Sequence, residues 1–424
     1  MAESLGDTSK RLIVCCDGTW KRSDDRDVSN IEKIARAIDT RPTQGKPIQV
    51  VHYTAGVGTG ATVMERGLGG ALGLGLNISL IGAYRFLALN YLPGDEIFIF
   101  GFSRGAYTAR SLVGMIDTIG LLTPEGVGKN KLREAISVYR GRAHPGEIDL
   151  PAEELVQKFR ENCHPFDKVT VEFLGVFDTV GALGIPGITR RKHRFHCVAM
   201  PSSIRVHTAR QALALHERRR AYTPAVWSQK GKKHDDLKQV WFDGVHSDIG
   251  GGYSESKFSD RTLLWMLNEA KLRGMRINDS SIVENLQLCR EDPRHNTLTL
   301  GHKILNAFSW TREKLRLKSR LTGKFRNGFR VLETTSSNES GDPSIRIADV
   351  SRERRTERAE GAVRNPNYNK WVDLLKSRQI PECDRVEPTP EISADGQIVW
   401  KLPDPSSRHP EDPLQPMGAP ERRP

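Results

Sequence analysis

Short apolar runs alternate along this chain with stretches of helical periodicity. RLIVCC at 11–16 reads as a buried strand stopped by Asp17-Gly18. A helix follows, with Ser29 at the cap position, Glu32 three residues on, and Ile31, Ile34, Ala35 and Ile38 on one face. QVVHY at 49–53 reads as a second strand. Beyond a glycine-rich connection, a helix carries Ile81, Tyr84, Phe86, Leu87 and Tyr91 and is ended by Pro93-Gly94. EIFIFGF at 96–102 is the most apolar strand, and Ser103-Arg104-Gly105 turns it into the helical run AYTARSLVGMI. VTVEFLGVF at 169–177 and QVWF at 239–242 complete the set of strands. HTARQALALHERRRAY at 207–222 reads as a helix, with Ala209, Leu213 and His216 on one side and cations on the other. The alternation predicts an α/β fold, a mainly parallel sheet covered by helices on both faces.

From about residue 336 the pattern changes to SSNESGD and then to the charge-dense DVSRERRTERAEG, and 10 of the 23 prolines fall in 381–424. The expected organisation is a flexible N-terminus over 1–10, a catalytic domain over 11–335 and a polar, proline-rich, largely disordered tail over 336–424. NKWVDLL at 369–375 is the one segment of that tail expected to dock. With 37% apolar and 27% charged residues, the chain is polar enough overall to include such a tail.

The net charge of +12 is regional: residues 301–330 hold nine Lys/Arg against Glu313 alone. This segment, expected to be helical, also carries Phe308, Trp310, Phe325 and Phe329. It suits an anionic membrane surface, phosphate binding, or a solvated basic face over a buried aromatic one. Six cysteines lie scattered without a CxxC pair, which argues for reduced thiols and against a zinc site. MAESLGDTSKRL contains no apolar signal segment, so the expected location is cytoplasmic, with export by a dedicated secretion system left open. The uncharged run at 67–84 is rich in glycine and reads as a loop leading into a core helix rather than a membrane span.

Gly101-Phe102-Ser103-Arg104-Gly105 matches G-x-S-x-G and sits where that motif needs to be, between a predicted strand and a predicted helix. The serine hydroxyl would project at the carboxyl end of the sheet, with the Arg104 N–H at the helix start facing a developing oxyanion. A serine hydroxyl is a weak nucleophile at neutral pH and needs a base. Of the twelve histidines, His246 has the best setting, a glycine-bearing loop (DGVHSDIGGGY) directly after QVWF; His52 and His207 are fallbacks. Asp178, directly after VTVEFLGVF, fits the carboxylate that orients the imidazole, and Asp248 is its rival. The chain order Ser103, Asp178, His246 is that of α/β-hydrolases. A second oxyanion donor is expected from Gly18 or Thr19, and Asp17 is read as a turn residue rather than a metal ligand. Arg190, Arg191, Lys192 and Arg194 follow the Asp178 strand, where substrate loops belong, and are candidates for a phosphate headgroup, with a solvated charge run as the equal alternative.

Several blocks together resemble a bacterial α/β-hydrolase family of uncharacterised domains that includes the first class of type VI secretion lipase effectors. They are CCDGTW (15–20), SNIEKIARAI (29–38), YTAGVGTG (53–60), PGDEIFIFGFSRGAYTARSLVGMI (93–116), GVFDTVGALG (175–184), ALALHERRRAY (212–222) and VWFDGVHSDIGGGY (240–253). The resemblance covers residues 11–270. It implies a phospholipase A-like domain with a serine triad falling on Ser103, Asp178 and His246.

The expected activity is therefore ester hydrolysis on phospholipid or another acyl lipid, with no cofactor and no metal. Expected partners are the lipid or ester substrate and an anionic membrane surface, with an immunity or secretion partner left open. Two alternatives stand beside it. A soluble carboxylesterase would act on small monomeric esters. A non-catalytic basic scaffold would bind nucleic acid or membrane through 301–330, although no nucleic acid is expected as partner while the triad is complete. GVGTG at 56–60 lacks the Lys-Ser/Thr of a phosphate-binding loop.

Overall fold

The computed structural model describes residues 9–18, 27–56, 69–139, 152–180, 204–227, 236–284, 286, 295, 325–326, 328–332, 342–356, 365–393 and 397–401. Its centre is an eight-stranded sheet built from β1 (Lys10–Cys16), β2 (Ile48–Thr54), β3 (Glu96–Phe102), β4 (Thr170–Phe177), β5 (Arg205–Ala214) and β6 (Leu237–Phe242). Two strands from the C-terminal part, β9 (Ile345–Ala348) and β10 (Val386–Glu387), complete it in the order β10-β9-β6-β5-β4-β3-β1-β2. Every pairing in this sheet is parallel. The α/β architecture expected from the alternating pattern is thus the one observed.

The helices lie on both faces because the strands alternate apolar side chains. Leu12, Val14, Cys16, Ile97 and Ile99 point into one cluster, covered by α2 (Gly69–Asn90) and α3 (Arg104–Ile119). Ile13, Cys15, Phe98, Phe100 and Phe173 point into the opposite one, covered by α1 (Asn30–Ala37) and α8 (Lys257–Leu272). Ser29 caps α1, accepting a bond from the Glu32 N–H at 3.1 Å. The smaller helices are α4 (Pro124–Gly128), α5 (Leu132–Tyr139), α6 (Ala152–Arg160) and α7 (His246–Gly250), with α9 at Asp279–Val283. Among the described residues no helix is long and apolar enough to cross a membrane. The four described cysteines, Cys15, Cys16, Cys163 and Cys383, are free thiols.

Several expectations fail; among them, the glycine-rich run at 67–84, expected as a loop leading into a helix, is already helical from Gly69 in α2. The stretch beginning at 207 is strand β5 and not a helix. Its Ala and Leu residues favour helix locally, but a central position between β4 and β6 overrides that preference and buries the strand on both faces. The polar residues there are buried with partners: Thr208 Oγ1 donates to Asp236 Oδ2 at 2.6 Å, and Thr179 Oγ1 donates to Gln211 Oε1 at 2.6 Å. A further failure concerns residues 342–401, expected as tail. Besides β9 and β10 they form α10 (Asp349–Thr356) and α11 (Asn367–Ser377), and β11 (Glu391–Ile392) pairs with β12 (Ile398–Val399). Ile345, Ile347, Tyr368, Trp371 and Leu375 make a third apolar cluster with Leu213, Leu215 and Trp241 of the sheet. These anchors are diluted by charge and proline, so average composition concealed them. NKWVDLL does dock, as part of α11, and residues 402–424 lie outside the described residues.

The basic segment 301–324 also lies outside them. Its described end is not helical: β7 (Phe325–Arg326) and β8 (Phe329–Arg330) form a short antiparallel hairpin, with Gly328 at a φ of +75° that glycine adopts without strain. Phe325 and Phe329 are both buried.

Candidate active site

The strand order places β1 beside β3 while the chain passes through β2 at the sheet edge, so the connections leaving β1 and β3 diverge there. In open parallel sheets the crevice at such a reversal, outside the carboxyl ends of the strands, is where ligands bind. Three candidate residues follow three strand ends: Asp17 after β1, Ser103 after β3 and Asp178 after β4. The ladder extends one residue to hold each in place, with Asp17 N–H donating to Thr54 O, Ser103 N–H to Phe177 O and Asp178 N–H to Ala212 O, at 3.0, 3.0 and 2.8 Å.

Ser103 has φ +56° and ψ −117°, a strained conformation for a residue with a side chain, between β3 and the first residue of α3. The two glycines of the motif make this elbow feasible. A Cβ on Gly101 would lie 2.6 Å from both Ala106 Cα and Gly105 O, and one on Gly105 would lie 2.1 Å from Cys16 O. The helix start is thereby pressed against the end of β1. Gly105→Ala is expected to force these backbones apart, lowering stability by about 1–3 kcal/mol and reducing esterase activity. Gly128→Ala, with nothing within 4 Å of the added carbon, is the control in thermal denaturation.

Ser103 Oγ lies 2.8 Å from His246 Nε2, and His246 Nδ1 lies 2.6 Å from Asp178 Oδ2. All three side chains are buried, Asp178 completely. The imidazole packs against the Phe102 ring and, in T-shaped geometry, against the Tyr222 ring, each with its centroid 4.8 Å away. Its backbone N–H donates to Glu217 Oε2 at 3.2 Å, and Arg219 pairs with that carboxylate at 2.8 Å. A Cβ on Gly250 would meet the Phe102 ring at 2.0 Å, so the turn carrying His246 packs directly on the residue before the serine.

Asp178, with a φ of +39°, receives four hydrogen bonds on its two oxygens. Oδ1 accepts from the Ala214 N–H at 3.0 Å and from Arg330 Nη1 at 2.6 Å. Oδ2 accepts from His246 Nδ1 and, at 3.1 Å, from Arg330 Nη2. Burial by itself pushes the Asp178 carboxyl up, but the Arg330 guanidinium and the His246 imidazole outweigh it and hold the group well below the usual carboxylate range. Arg330 did not stand out in the sequence. It is one of nine cations in a basic stretch, and no local signal separates it from the others.

The remaining candidates divide. Asp248 does not contact His246 through its carboxylate. It accepts from the Val245 N–H at 2.9 Å and from His295 Nδ1 at 2.7 Å, which braces the loop. His52 stacks on Phe86, and His207 faces Glu172 at 3.7 Å near the opposite end of the sheet. Asp17 Oδ2 accepts from Ser29 Oγ at 2.6 Å and Tyr53 Oη at 2.7 Å, while Asp17 Oδ1 accepts from the Gly18 N–H at 2.5 Å. The Gly18 N–H is therefore engaged by the neighbouring carboxylate. Arg104 is the first residue of α3, so its N–H belongs to the unpaired helix start. Thr19, Arg190, Arg191, Lys192 and Arg194 lie outside the described residues. Among the described residues, no group of three or more His, Cys, Asp or Glu side chains is placed to hold a metal ion.

Residues 10–269 match the family model described as the type VI secretion system phospholipase effector Tle1-like catalytic domain. The chain belongs to this family. An uncharacterised protein of Saccharomyces cerevisiae, YEL023C, is 29% identical over 232 residues, covering 51% of this chain and 32% of that protein. The Tle1-like chain thus spans about a third of the length of the curated relative it matches. Among solved structures, an uncharacterised protein from Pseudomonas aeruginosa aligns at 16% identity and a TM-score of 0.36, covering 64% of this chain and 47% of the other. The Tle1 effector bound to the VgrG spike of the type 6 secretion system aligns at 20% identity and a TM-score of 0.32, covering 58% and 51%.

Proposed function

We propose that this protein is a serine ester hydrolase of phospholipase A type, with Ser103 as nucleophile, His246 as general base and acid, and Asp178 as the carboxylate that orients the imidazole. One observation carries the reading: Ser103 Oγ, His246 and Asp178 form one unbroken hydrogen-bonded line, with the serine on a strained elbow at the switch point of the sheet. A side chain held at φ +56° costs folding energy, and a purely structural serine would have no use for that placement.

In this scheme His246 Nε2 takes the Ser103 proton as Oγ attacks the acyl carbonyl. The oxyanion is held by the Arg104 N–H and a second donor from the Gly18–Thr19 stretch, where Gly18 first gives up its bond to Asp17. The imidazolium, stabilised by Asp178, returns its proton to the leaving glycerol oxygen. Water then repeats the sequence on the acyl-enzyme and releases the fatty acid. Family membership supports an acyl lipid as substrate. Arg190, Arg191, Lys192 and Arg194 are proposed to meet its phosphate, since guanidinium groups pair with phosphate oxygens in bidentate fashion.

The test compares fatty-acid release from phosphatidylglycerol vesicles with hydrolysis of a monomeric short-chain nitrophenyl ester. Fatty-acid release from the vesicles, at a rate above that on the short ester, supports the phospholipase reading. Turnover of the short ester alone would leave a soluble carboxylesterase, and turnover of neither by folded protein would remove the hydrolase reading.

A further inference from the structure

We propose that Arg330 is a positioning residue of the active site, supplied from beyond the matched catalytic region, which locks the Asp178 carboxylate in the orientation that receives His246 Nδ1. The inference rests on the serine-hydrolase reading of Ser103 and deepens it. Arg330 and Asp178 are both fully buried, and the guanidinium bridges both carboxylate oxygens. The same guanidinium also donates to the Ala214 carbonyl at 3.0 Å and to the Tyr222 carbonyl. It therefore ties the end of β4 to the end of β5 and to the residue whose ring packs against His246. A planar fork matches this set of acceptors, whereas a single ammonium point charge does not.

Arg330 is itself held from behind. Asn365 Nδ2 donates to the Arg330 carbonyl and to the Leu215 carbonyl, each at 2.9 Å, and Asn367 Nδ2 reaches the carbonyls of Arg326 and Arg330 at 2.8 and 3.2 Å. Asn367 begins α11, which is anchored through Trp371 and Leu375 on Leu213, Leu215 and Trp241. A continuous line of contacts thus runs from α11 through the β7–β8 hairpin to Asp178, His246 and Ser103. The matched region ends at residue 269, before any of this support.

Among the described residues, the charged and titratable groups around the pair are few. His246 and Arg330 face Asp178 directly, and Ser103 and the Tyr222 ring face His246. Glu217 accepts the His246 N–H and pairs with Arg219. Arg104 follows Ser103, and His216 faces Asp243 at 3.7 Å. Without Arg330, burial would act on Asp178 with one opposing charge fewer. The carboxyl would then take up its proton at a higher pH and stop accepting the imidazole N–H there. The acid limb of the activity profile then moves upward wherever that protonation reaches the tested range, because activity needs the ionised form.

Full-length Arg330→Met and Arg330→Lys would be compared with wild type by fluorophosphonate labelling and by kcat and KM on a soluble nitrophenyl ester across pH 4–9. For Arg330→Met we expect kcat to fall about tenfold or more with KM little changed, and the acid limb to rise by about one pH unit or more. Arg330→Lys keeps the charge, so its limb should stay near that of wild type, while its kcat falls between the other two. Folded Arg330→Met with the wild-type limb and kcat would overturn the proposal. If only Arg330→Lys folds, wild-type kcat in that variant would overturn it. Failure of both to fold would assign Arg330 to stability alone and also overturn it. Wild type that never labels would instead sink the serine-hydrolase reading beneath it.

Discussion

Ser103→Ala is expected to abolish fluorophosphonate labelling and to reduce ester hydrolysis by about 10⁴- to 10⁶-fold, with the fold intact. The size of the loss follows from the line of hydrogen bonds at Ser103. Without Oγ no acyl-enzyme forms, and what remains is the contribution of binding and of the oxyanion donors. Stability should change by no more than about 1 kcal/mol, since one hydrogen bond to His246 is lost. Ser103→Gly sharpens the test. It should be equally inactive yet more stable than Ser103→Ala by about 1 kcal/mol or more, because glycine accepts φ +56° without a steric penalty. Thermal denaturation of the two variants beside a labelling gel is sufficient. Residual labelling in Ser103→Ala would place the reactive nucleophile elsewhere.

Asp178→Asn should damage both catalysis and folding, unlike the serine variants. Each oxygen of Asp178 accepts two donors: the Ala214 N–H and Arg330 Nη1 on one, His246 Nδ1 and Arg330 Nη2 on the other. An amide has one acceptor atom, so its NH₂ must face donors at one of the two positions. Toward His246 it would favour the wrong tautomer, an effect of about 10⁴-fold on kcat in serine triads. Toward Arg330 and Ala214 it would leave a fully buried guanidinium short of its counter-charge, at a cost of about 3–5 kcal/mol. Denaturant unfolding and kcat, measured on one preparation, separate the two effects. Wild-type stability in Asp178→Asn would mean that the buried pair contributes nothing net to folding.

The same pair makes stability depend on pH. Asp178 has a lowered pKa in the folded protein, so the stability it contributes is present above the ordinary carboxylate range of the unfolded chain. It is lost as pH falls toward the folded value.

How much was legible in the chain differs from residue to residue. Ser103, Asp178 and His246 were each marked by their immediate neighbours: an apolar strand, then a polar residue, then glycines. Strand ends and tight turns are set by contiguous residues, so their positions could be read in a line. Strand β5 reads as helix in the sequence because its Ala-Leu repeat favours helix, whereas its burial between β4 and β6 is a property of the sheet. The C-terminal strands were missed because their apolar anchors are sparse and acquire a partner only where β5 and β6 leave apolar side chains uncovered.

Sequence alone therefore determined the alternating α/β order, the elbow at Ser103 and the three strand-end positions, since each depends on local backbone preference and hydrophobic spacing. Only the tertiary structure decided which cation meets Asp178. Arg330 lies 152 residues away in the chain and is chemically indistinguishable from its basic neighbours. It reaches the carboxylate because α11 and the β7–β8 hairpin dock against β5 and β6, and a buried charge survives there only where that docking supplies its counter-charge.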